Sequence, residues 1–505
     1  MQKASLYLKP YADMAMSLTN EYDIVIIGGG IHGAAAALNA AGRGLKVLLL
    51  EKDDLAEHTS SASSKLIHGG LRYLEHGQFS LVIKALKARE NLLRRAPHLV
   101  KPLKFVLPLT TLHRAQWQIK LGLKMYDFFS GKENLPPATY ITRKSAAALF
   151  SPLNSNFENA FTFYDAKTDD ARLTIENALL ARQLGAEIKT HTQFIEGAYA
   201  NNAWQVSFKE KGKRSFTISA KAIINTAGPW VNEVLRSFKL KPEVNLAWIK
   251  GSHFIVPPLY PMDNAYILQH TDNRVVFCIP YHGYSMIGTT EQDYTGSLDN
   301  IVMDQDEASY LFNIIKLYFK TPYRNEDIKH HFSGVRTFRS QNKVNSKLSR
   351  ESYINVINAP LPIVSLYGGK LTTHADCANR MLEKLIPSFL NLKKDFSPNT
   401  FPGALNFAEQ VKQLQLTYHW LPEEVLTRYI SQFGSRTAQL LQGCNKLADL
   451  GIEVCKGLYE QEINFLVKDE WATSKEDILW RRTKLGLQYS QHEGEKLGSY
   501  LEARF

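Results

Sequence analysis

The sequence predicts a mixed α/β (α+β) protein with a parallel sheet near its N-terminus, an antiparallel region in its middle and a helical C-terminal region. A short apolar strand at residues 22–27 leads into a glycine-rich turn, an alanine-rich helix and a second apolar strand. This order of elements is the unit from which parallel sheets are built. Residues 247–290 alternate in the manner of antiparallel strands, and helical periodicity dominates from about residue 397 onward.

Composition places the chain among folded proteins of several domains. It has 505 residues, of which 44% are hydrophobic and 22% are charged, which excludes disordered and low-complexity classes. Its 4 cysteines show no metal-ligand spacing, so we expect free thiols and no metal site. We also expect no secretory signal and no apolar run of about 18 residues that would span a bilayer.

Three glycines follow the first strand in the pattern G-x-G-x-x-G. Gly28 permits a tight turn, Gly30 lets a pyrophosphate approach backbone N–H groups, and Gly33 lets the helix pack close to the strand. Glu51 stands at the end of the second strand, where a carboxylate accepts hydrogen bonds from ribose hydroxyls. This context predicts a dinucleotide site, and an acid at this position argues against a 2′-phosphate.

A serine-rich segment, residues 59–64, follows the second strand in place of another regular strand–helix unit. The hydroxyls and amides of Ser60, Ser61 and Ser63 are suited to hold a second phosphate and a flavin ring. The segment therefore favours a flavin dinucleotide over a nicotinamide one. A solvated serine loop is the alternative reading.

The basic residues are concentrated between residues 77 and 132. This stretch contains eleven Lys or Arg residues and two acids, in a chain of formal net charge +11. Two segments within it, 77–97 and 114–129, have helical periodicity with cationic sides. Such a surface attracts nucleic acid, an acidic partner or phospholipid headgroups.

Further motifs follow the nucleotide fingerprint in order along the chain. They are DDARL (169–173), NTAGPWV (225–231), IKGSHFIVP (249–257), IGTT (287–290), FSGVR (332–336), YGGKLTT (367–373) and EDILWRRTKLGL (476–487). With the run IIGGGIHGAAAALNAAGRGLKVLLLEKDDLA they resemble the membrane-associated, FAD-dependent (aerobic) glycerol-3-phosphate dehydrogenases of bacteria. The resemblance covers residues 22 to about 489, nearly the whole chain.

The resemblance implies a domain organisation and a reaction. It implies a discontinuous FAD-binding domain of Rossmann type (1–76, 145–245 and 351–390), basic amphipathic helices (77–144), an antiparallel substrate or cap domain (246–350) and a helical domain (391–505). It also implies oxidation of sn-glycerol 3-phosphate to dihydroxyacetone phosphate by hydride transfer to FAD N5. The electrons would then pass to a membrane quinone, as part of glycerol catabolism and respiration.

The same resemblance implies the site residues. Substrate binding falls to Arg72, Tyr73, Arg336, Arg350 and Lys370, with His253 in the same pocket. Arginine suits a dianionic phosphate because its planar fork donates two hydrogen bonds, and a lysine ammonium near the flavin favours its reduced form. His68 and His253 are the candidate general bases, because imidazole titrates near neutral pH. Further expected cofactor contacts are Gly228, Gly369, Leu371 and Thr372.

The basic helices are expected to hold the protein to an anionic membrane, at the cytoplasmic face of the inner membrane. Three alternatives stay open: oxygen in place of quinone as electron acceptor, a nucleic-acid surface, and a non-catalytic dinucleotide-binding sensor. We expect no nucleic-acid partner, because the stretch carries no known nucleic-acid-binding signature. A homodimer is compatible with the sequence but is not implied by it.

Overall fold

The computed structural model describes residues 20–110, 116–131, 135–272, 274–340, 352–389, 396 and 400–505. Arg350, one of the expected substrate residues, lies outside this part of the chain. The strands are β1 (Glu21–Ile27), β2 (Val47–Leu50), β3 (Leu66–Ile67), β4 (Lys101–Pro108), β5 (Thr139–Thr142), β6 (Asn159–Lys167), β7 (Glu187–Lys189), β8 (Thr192–Ala200), β9 (Ala203–Glu210), β10 (Ser215–Asn225), β11 (Leu246–Val256), β12 (Asn264–Gln269), β13 (Val275–Tyr281), β14 (Tyr284–Gly288), β15 (Gln292–Asp293), β16 (His330–Arg339), β17 (Tyr353–Ile357), β18 (Ile363–Tyr367), β19 (Glu453–Cys455) and β20 (Leu458–Tyr459).

The helices alternate with these strands in the first half of the chain and dominate its last quarter. They are α1 (Ile31–Gly42), α2 (Phe79–Arg95), α3 (Gln116–Ser130), α4 (Ala147–Phe150), α5 (Asp170–Gln183), α6 (Val231–Ser237), α7 (Gln305–Tyr318), α8 (His374–Leu385), α9 (Phe407–Thr417), α10 (Glu423–Phe433), α11 (Thr437–Leu440), α12 (Glu460–Glu470) and α13 (Gln491–Arg504). A π-helical turn spans Asp477–Arg482.

The first sheet is built around β1, as the sequence predicts. Its order is β17-β18-β10-β1-β2-β7, and every neighbouring pair from β18 to β7 is parallel. Helix α1 packs against α5 and α8 on one face of this sheet. Since both faces are covered, the inner strands are almost continuously apolar. Strand β9 pairs antiparallel with β10 and forms a hairpin with it.

The second sheet is mainly antiparallel and carries the predicted alternating region. Its order is β15-β11-β14-β13-β12-β4-β6-β3, with β16 paired to β11 and β5 paired to β6. Strands β4 and β6 also belong to this sheet, although the expected boundaries assign their residues to the basic helices and to the FAD-binding domain. A short apolar run in a sequence can indicate a strand, but it does not show which strand it pairs with. That partner is set by distant contacts, such as the pairing of Phe105 in β4 with Phe163 in β6. The α/β fold class is confirmed, whereas the exact domain boundaries stay predictions.

The basic stretch forms α2 and α3, on either side of β4. Arg89 does not belong to its exposed surface, because its side chain is 1% exposed and pairs with Asp165 at 2.6 Å and Glu90 at 2.8 Å. Arg95 is also largely covered: its guanidinium lies 4.6 Å from the centre of the Phe401 ring, and burial lowers its pKa to about 10. Arg114 and Lys132 lie outside the described residues. The exposed cations are Lys84, Lys87, Arg94, Lys101, Lys120 and Lys124.

The C-terminal region has its own apolar core, to which α10, α12 and α13 contribute together with the segments between them. It is helical as predicted, with one addition, the short antiparallel hairpin β19–β20. Among the described residues, no helix is both long and apolar enough to cross a membrane.

Candidate flavin and substrate site

A single large cavity receives residues from both sheets. Its volume is about 1320 Å³, above the roughly 300–1,000 Å³ of ordinary small-molecule sites. The carboxyl ends of β1, β2 and β18 open into it through Ile27, Leu50 and Tyr367, and β11, β13 and β16 line another part of its wall. Ligands of open α/β sheets bind at these strand ends. The volume suits an extended dinucleotide together with a small substrate.

The glycine turn after β1 leaves no room for side chains. Gly28 has φ +106°, and a Cβ there would lie 2.6 Å from the carbonyl oxygen of Thr226. A Cβ on Gly33 would lie 1.8 Å from the carbonyl oxygen of Gly28. Both positions therefore require glycine, and α1 begins beside the cavity with its N-terminal N–H groups directed at a phosphate position.

Glu51 lies where a ribose-binding acid is expected. Its side chain lines the cavity and accepts hydrogen bonds from the N–H of Gly29 at 2.6 Å and of Asp53 at 2.9 Å. Burial raises the pKa of this carboxyl, and the two backbone hydrogen bonds act against that rise. Because a carboxylate has about four lone-pair positions, it can still accept hydrogen bonds from two ribose hydroxyls.

The three expected serines have different environments. The hydroxyl oxygen of Ser60 lines the cavity and accepts a hydrogen bond from the N–H of Ile31 at 2.9 Å, at the start of α1. Ser63 also lines the cavity, and its hydroxyl donates to Asp170 at 2.7 Å. Ser61 is turned away from the cavity, because its hydroxyl donates to the carbonyl of Glu57 within its own turn. The structure thus brings Ser60 and Ser63, but not Ser61, to the expected cofactor position.

The turn after β18 supplies the opposite wall. Gly369 has φ +118°, and a Cβ there would lie 2.5 Å from Nε2 of His32. Gly228, Leu371 and Thr372 line the same cavity, as expected. The ammonium of Lys370 lies 3.9 Å from the centre of the Tyr73 ring. Lys370 and Tyr73, both expected at the substrate pocket, therefore lie next to each other in the cavity wall.

Arg336 reaches the cavity from β16. Its guanidinium donates to Glu291 at 3.3 Å and to the carbonyl of Thr290 at 3.4 Å, and 33% of its side chain is exposed. Gly251 on the paired strand makes room for it, since a Cβ there would lie 2.8 Å from Nη2 of Arg336. Arg72 lines the same cavity from the turn that follows β3. Arg336 and Arg72 thus reach one cavity from two different elements, a strand and a turn.

The two histidine candidates differ in their chemistry. His253 is buried, its Nε2 lies 2.9 Å from the hydroxyl of Ser64, and its ring stacks on Phe332. Burial, with smaller contributions from Lys65 and Arg336, lowers the pKa of His253 to about 3. It therefore stays neutral near pH 7. The expectation that His253 titrates near neutral pH is wrong, because the side chain is buried. His68 lines the cavity, and its backbone N–H donates to the hydroxyl of Thr372 at 3.3 Å.

Two arginines of the second sheet were missed by sequence analysis. Arg274 lines the cavity, donates to Asp272 and donates to the carbonyl of Glu291 at 3.2 Å. Arg339 lines it too, with its guanidinium 4.6 Å from the centre of the Tyr353 ring. Neither arginine stands in a glycine-rich motif. Only the folded chain brings them to the same cavity as Arg336.

The residues present fit a dinucleotide. The glycine turn leaves space for it, and Glu51 lies where its ribose would bind. The N-terminus of α1 and the serine hydroxyls lie where its phosphates would bind. The cavity then continues to a wall of cations. The fold and this cavity are those of a dinucleotide-binding α/β protein with several arginines in the cavity wall.

Comparison with known proteins identifies the dinucleotide. The sequence pattern of a family described as FAD dependent oxidoreductase matches residues 23–374. A glycerol-3-phosphate dehydrogenase of Pseudomonas aeruginosa is 41% identical over 96% of this chain and 96% of its own. D-erythritol 1-phosphate dehydrogenase of Brucella abortus is 38% identical over 93% of this chain and 96% of its own.

A solved structure has the same fold. It is the X-ray structure of the glycerol-3-phosphate dehydrogenase of Bacillus halodurans complexed with FAD, which superposes with a TM-score of 0.74 over 96% of this chain and 94% of its own, at 22% identity. The chain therefore belongs to the FAD-dependent oxidoreductase family, and within it to the group of the glycerol-3-phosphate dehydrogenases. FAD is its cofactor.

Replacing Glu51 by glutamine tests the proposed ribose contact. The amide keeps the shape of the side chain but has only one acceptor oxygen. We expect the dissociation constant of FAD to rise about tenfold, since one charge-assisted hydrogen bond contributes roughly 1.5 kcal/mol. Flavin fluorescence on dilution measures it, with Glu502→Gln on the exposed end of α13 as the control. An unchanged FAD affinity in Glu51→Gln would move the ribose away from this acid.

Proposed function

We propose that the protein oxidises sn-glycerol 3-phosphate at carbon 2 to dihydroxyacetone phosphate and passes the electrons to a membrane quinone, in glycerol catabolism and respiration. The observation that carries this proposal is the continuity of one cavity from the glycine turn of β1 to the guanidinium groups around Arg336. Bound FAD supplies the hydride acceptor. The chain's own residues bind and orient the substrate and take up its hydroxyl proton.

The phosphate is assigned to the arginine side of the cavity. Arg336 and Arg72 are the binding groups, and Arg274 lies in the same wall. Glu291 holds the guanidinium of Arg336 before substrate arrives, which orients it but also places a carboxylate near the anion. A dianionic phosphate competes well for that guanidinium, because bidentate pairing of arginine with phosphate is strong.

The polyol end is assigned to the turn containing Lys370 and to the histidines. The ammonium of Lys370 lies above the Tyr73 ring in the cavity wall. There it stabilises the negative charge that develops during the reaction. The buried Nδ1 of His253 makes no hydrogen bond to the described residues, and a neutral imidazole nitrogen accepts a hydrogen bond from a substrate hydroxyl. With the pKa of His253 lowered to about 3, His68 is the better candidate to remove the hydroxyl proton.

An apolar part of the same cavity leads to α3 and supports a quinone acceptor. Phe105, Phe163 and Phe277 line it, followed by Leu121 and Met125 of α3. An isoprenoid quinone needs an apolar path of this kind between a flavin and the lipid phase. Oxygen would need no such path, so this geometry favours the quinone over the oxygen alternative.

The exposed side of α3 supports membrane attachment. Trp117 is 65% exposed, Leu121 50% and Phe128 81%, and the cations Lys120 and Lys124 lie on the same helix. Exposed aromatic residues beside cations suit the interface of an anionic bilayer. Nucleic acid would use the cations but not the apolar side chains. We therefore propose peripheral attachment to the cytoplasmic face of the inner membrane.

Truncation of Arg336 tests the substrate assignment. We expect Arg336→Ala to lower kcat/KM for glycerol 3-phosphate, because a phosphate in the cavity would lose a charge-assisted partner. The loss should correspond to about 2–5 kcal/mol of transition-state stabilisation. FAD content should stay unchanged. Steady-state kinetics with a soluble quinone measures the loss, and D-erythritol 1-phosphate assayed in parallel shows which polyol phosphate the wild type prefers.

The matched control is Arg324→Ala, which removes an exposed arginine paired only with Glu326 among the described residues. Its kinetics should match the wild type. If Arg336→Ala bound and oxidised glycerol 3-phosphate normally, the phosphate would not bind at this arginine.

Charge reversal on α3 tests membrane attachment. Each cation near an anionic surface contributes about 1 kcal/mol, so Lys120→Glu with Lys124→Glu should release the protein from anionic vesicles in a sedimentation assay. Flavin content should not change. Lys209→Glu with Lys211→Glu alters the net charge equally on the exposed β9 hairpin and should leave binding intact. Equal losses from both pairs would mean that α3 is not the attachment site.

A further inference from the structure

The C-terminal motif at 476–487 reaches the cofactor side of the molecule. We propose that the π-helical turn Asp477–Arg482 is a positioning element for the cofactor loop, residues 51–65, and that it acts through the carboxylate of Asp54. The loop carries Glu51 and the serines, while the turn lies more than four hundred residues away in sequence.

Asp54 is held by two arginines of this turn. Its side chain is fully buried, and it accepts from Nε of Arg481 at 2.6 Å and from both terminal nitrogens of Arg482, Nη2 at 2.8 Å. Arg482 is itself fully buried and also donates to the carbonyl of Glu470. The opposing charges of Asp54, Asp477 and Glu57 raise the pKa of Arg481 above its ordinary value. The pairing is bidentate and inaccessible to water, so it fixes orientation as well as distance.

The residues next to Asp54 touch the glycine turn. Leu55 packs against Gly29, since a Cβ on that glycine would lie 3.0 Å from Cδ2 of Leu55. The N–H of Ala56, which has φ +65°, donates to the carbonyl of Gly29 at 3.3 Å. The N–H of Gly29 in turn donates to Glu51. A shift of Asp54 would therefore move both the ribose acid and the phosphate turn.

A second ion-pair chain joins the same C-terminal motif to the far end of the loop. Lys484 pairs with Asp169, and the next residue, Asp170, binds the ammonium of Lys65 at 2.9 Å and the hydroxyl of Ser63 at 2.7 Å. Lys65 has φ +56° and Lys484 has φ +61°. Non-glycine residues keep such conformations only where their surroundings hold them. The C-terminal region thus pairs directly with Asp54 at one end of the loop, and reaches the other end through the Asp169–Asp170 segment.

The motif also contacts the second sheet. The Trp480 ring stacks on His330 of β16 with ring centres 3.8 Å apart, and the hydroxyl of Tyr284 donates to the carbonyl of Leu487 at 3.1 Å. One short segment thus touches the cofactor loop and the sheet that carries Arg336. A π-helical turn is uncommon and widens the helix locally, which lets Trp480 and the two arginines point to different partners.

The test compares two buried arginines of the C-terminal region. Arg482→Gln removes the bidentate pair with Asp54 and leaves the Arg481–Asp54 pair in place. Arg436→Gln removes an equally buried pair, with Glu470 and Glu176, that does not touch residues 51–65. Both variants should lose thermal stability. Only Arg482→Gln should raise the FAD dissociation constant, by about tenfold, and change the visible circular dichroism of the bound flavin.

Asp54→Asn supplies a milder variant and a double-mutant cycle. If Arg482 acts through Asp54, the FAD affinity of Arg482→Gln with Asp54→Asn should be no weaker than that of the weaker single variant. Should Arg482→Gln fail to fold, Asp54→Asn alone must still weaken FAD binding and alter the flavin signal. Normal FAD affinity in Asp54→Asn, additive effects in the cycle, or equal loss in Arg436→Gln would each overturn the proposal.

Discussion

The close approach of α1 to β1 at the glycine turn is the constraint on which the rest of the site depends. Because Gly33 and Gly28 are in near contact, with no space for even one Cβ between them, the N-terminus of α1 comes directly to the edge of the first sheet. That edge is where a dinucleotide phosphate can meet backbone N–H groups. Glu51, the serine loop and the turn at 367–372 can contribute to a dinucleotide site only because they surround this edge of the sheet.

The second sheet packs directly against the cofactor loop, and this contact brings its cationic side chains to the same cavity. The hydroxyl of Thr59 donates to the carbonyl of Val335 at 2.9 Å, and a Cβ on Gly334 would lie 2.7 Å from that of Ala62. Arg336 follows in the same strand. The loop that carries Glu51 and the serines is therefore in direct contact with the strand that carries Arg336, so a substrate bound at Arg336, as we propose, would lie near the flavin.

The local features were predictable from the sequence, because they depend on neighbours along the chain. The strand–glycine–helix unit with Glu51 and the alternating strands of residues 247–290 are of this kind. Features set by distant contacts were not predictable in the same way. The partner of β4, the burial of Arg89 by Asp165 and the turning of Ser61 away from the cavity each depend on a contact that no spacing reveals. Arg274 and Arg339 were missed because an arginine in a polar segment gives no sign of the direction it faces, and the neutral state of His253 follows from burial alone.

We propose that FAD and a three-carbon phosphoester share this one cavity. The decisive experiment is anaerobic titration of the purified, FAD-loaded protein with glycerol 3-phosphate, following the visible flavin absorbance. We expect the flavin band to bleach and added quinone to restore it. If glycerol 3-phosphate left the band unchanged in protein that still holds FAD, the phosphoester would not reach the flavin.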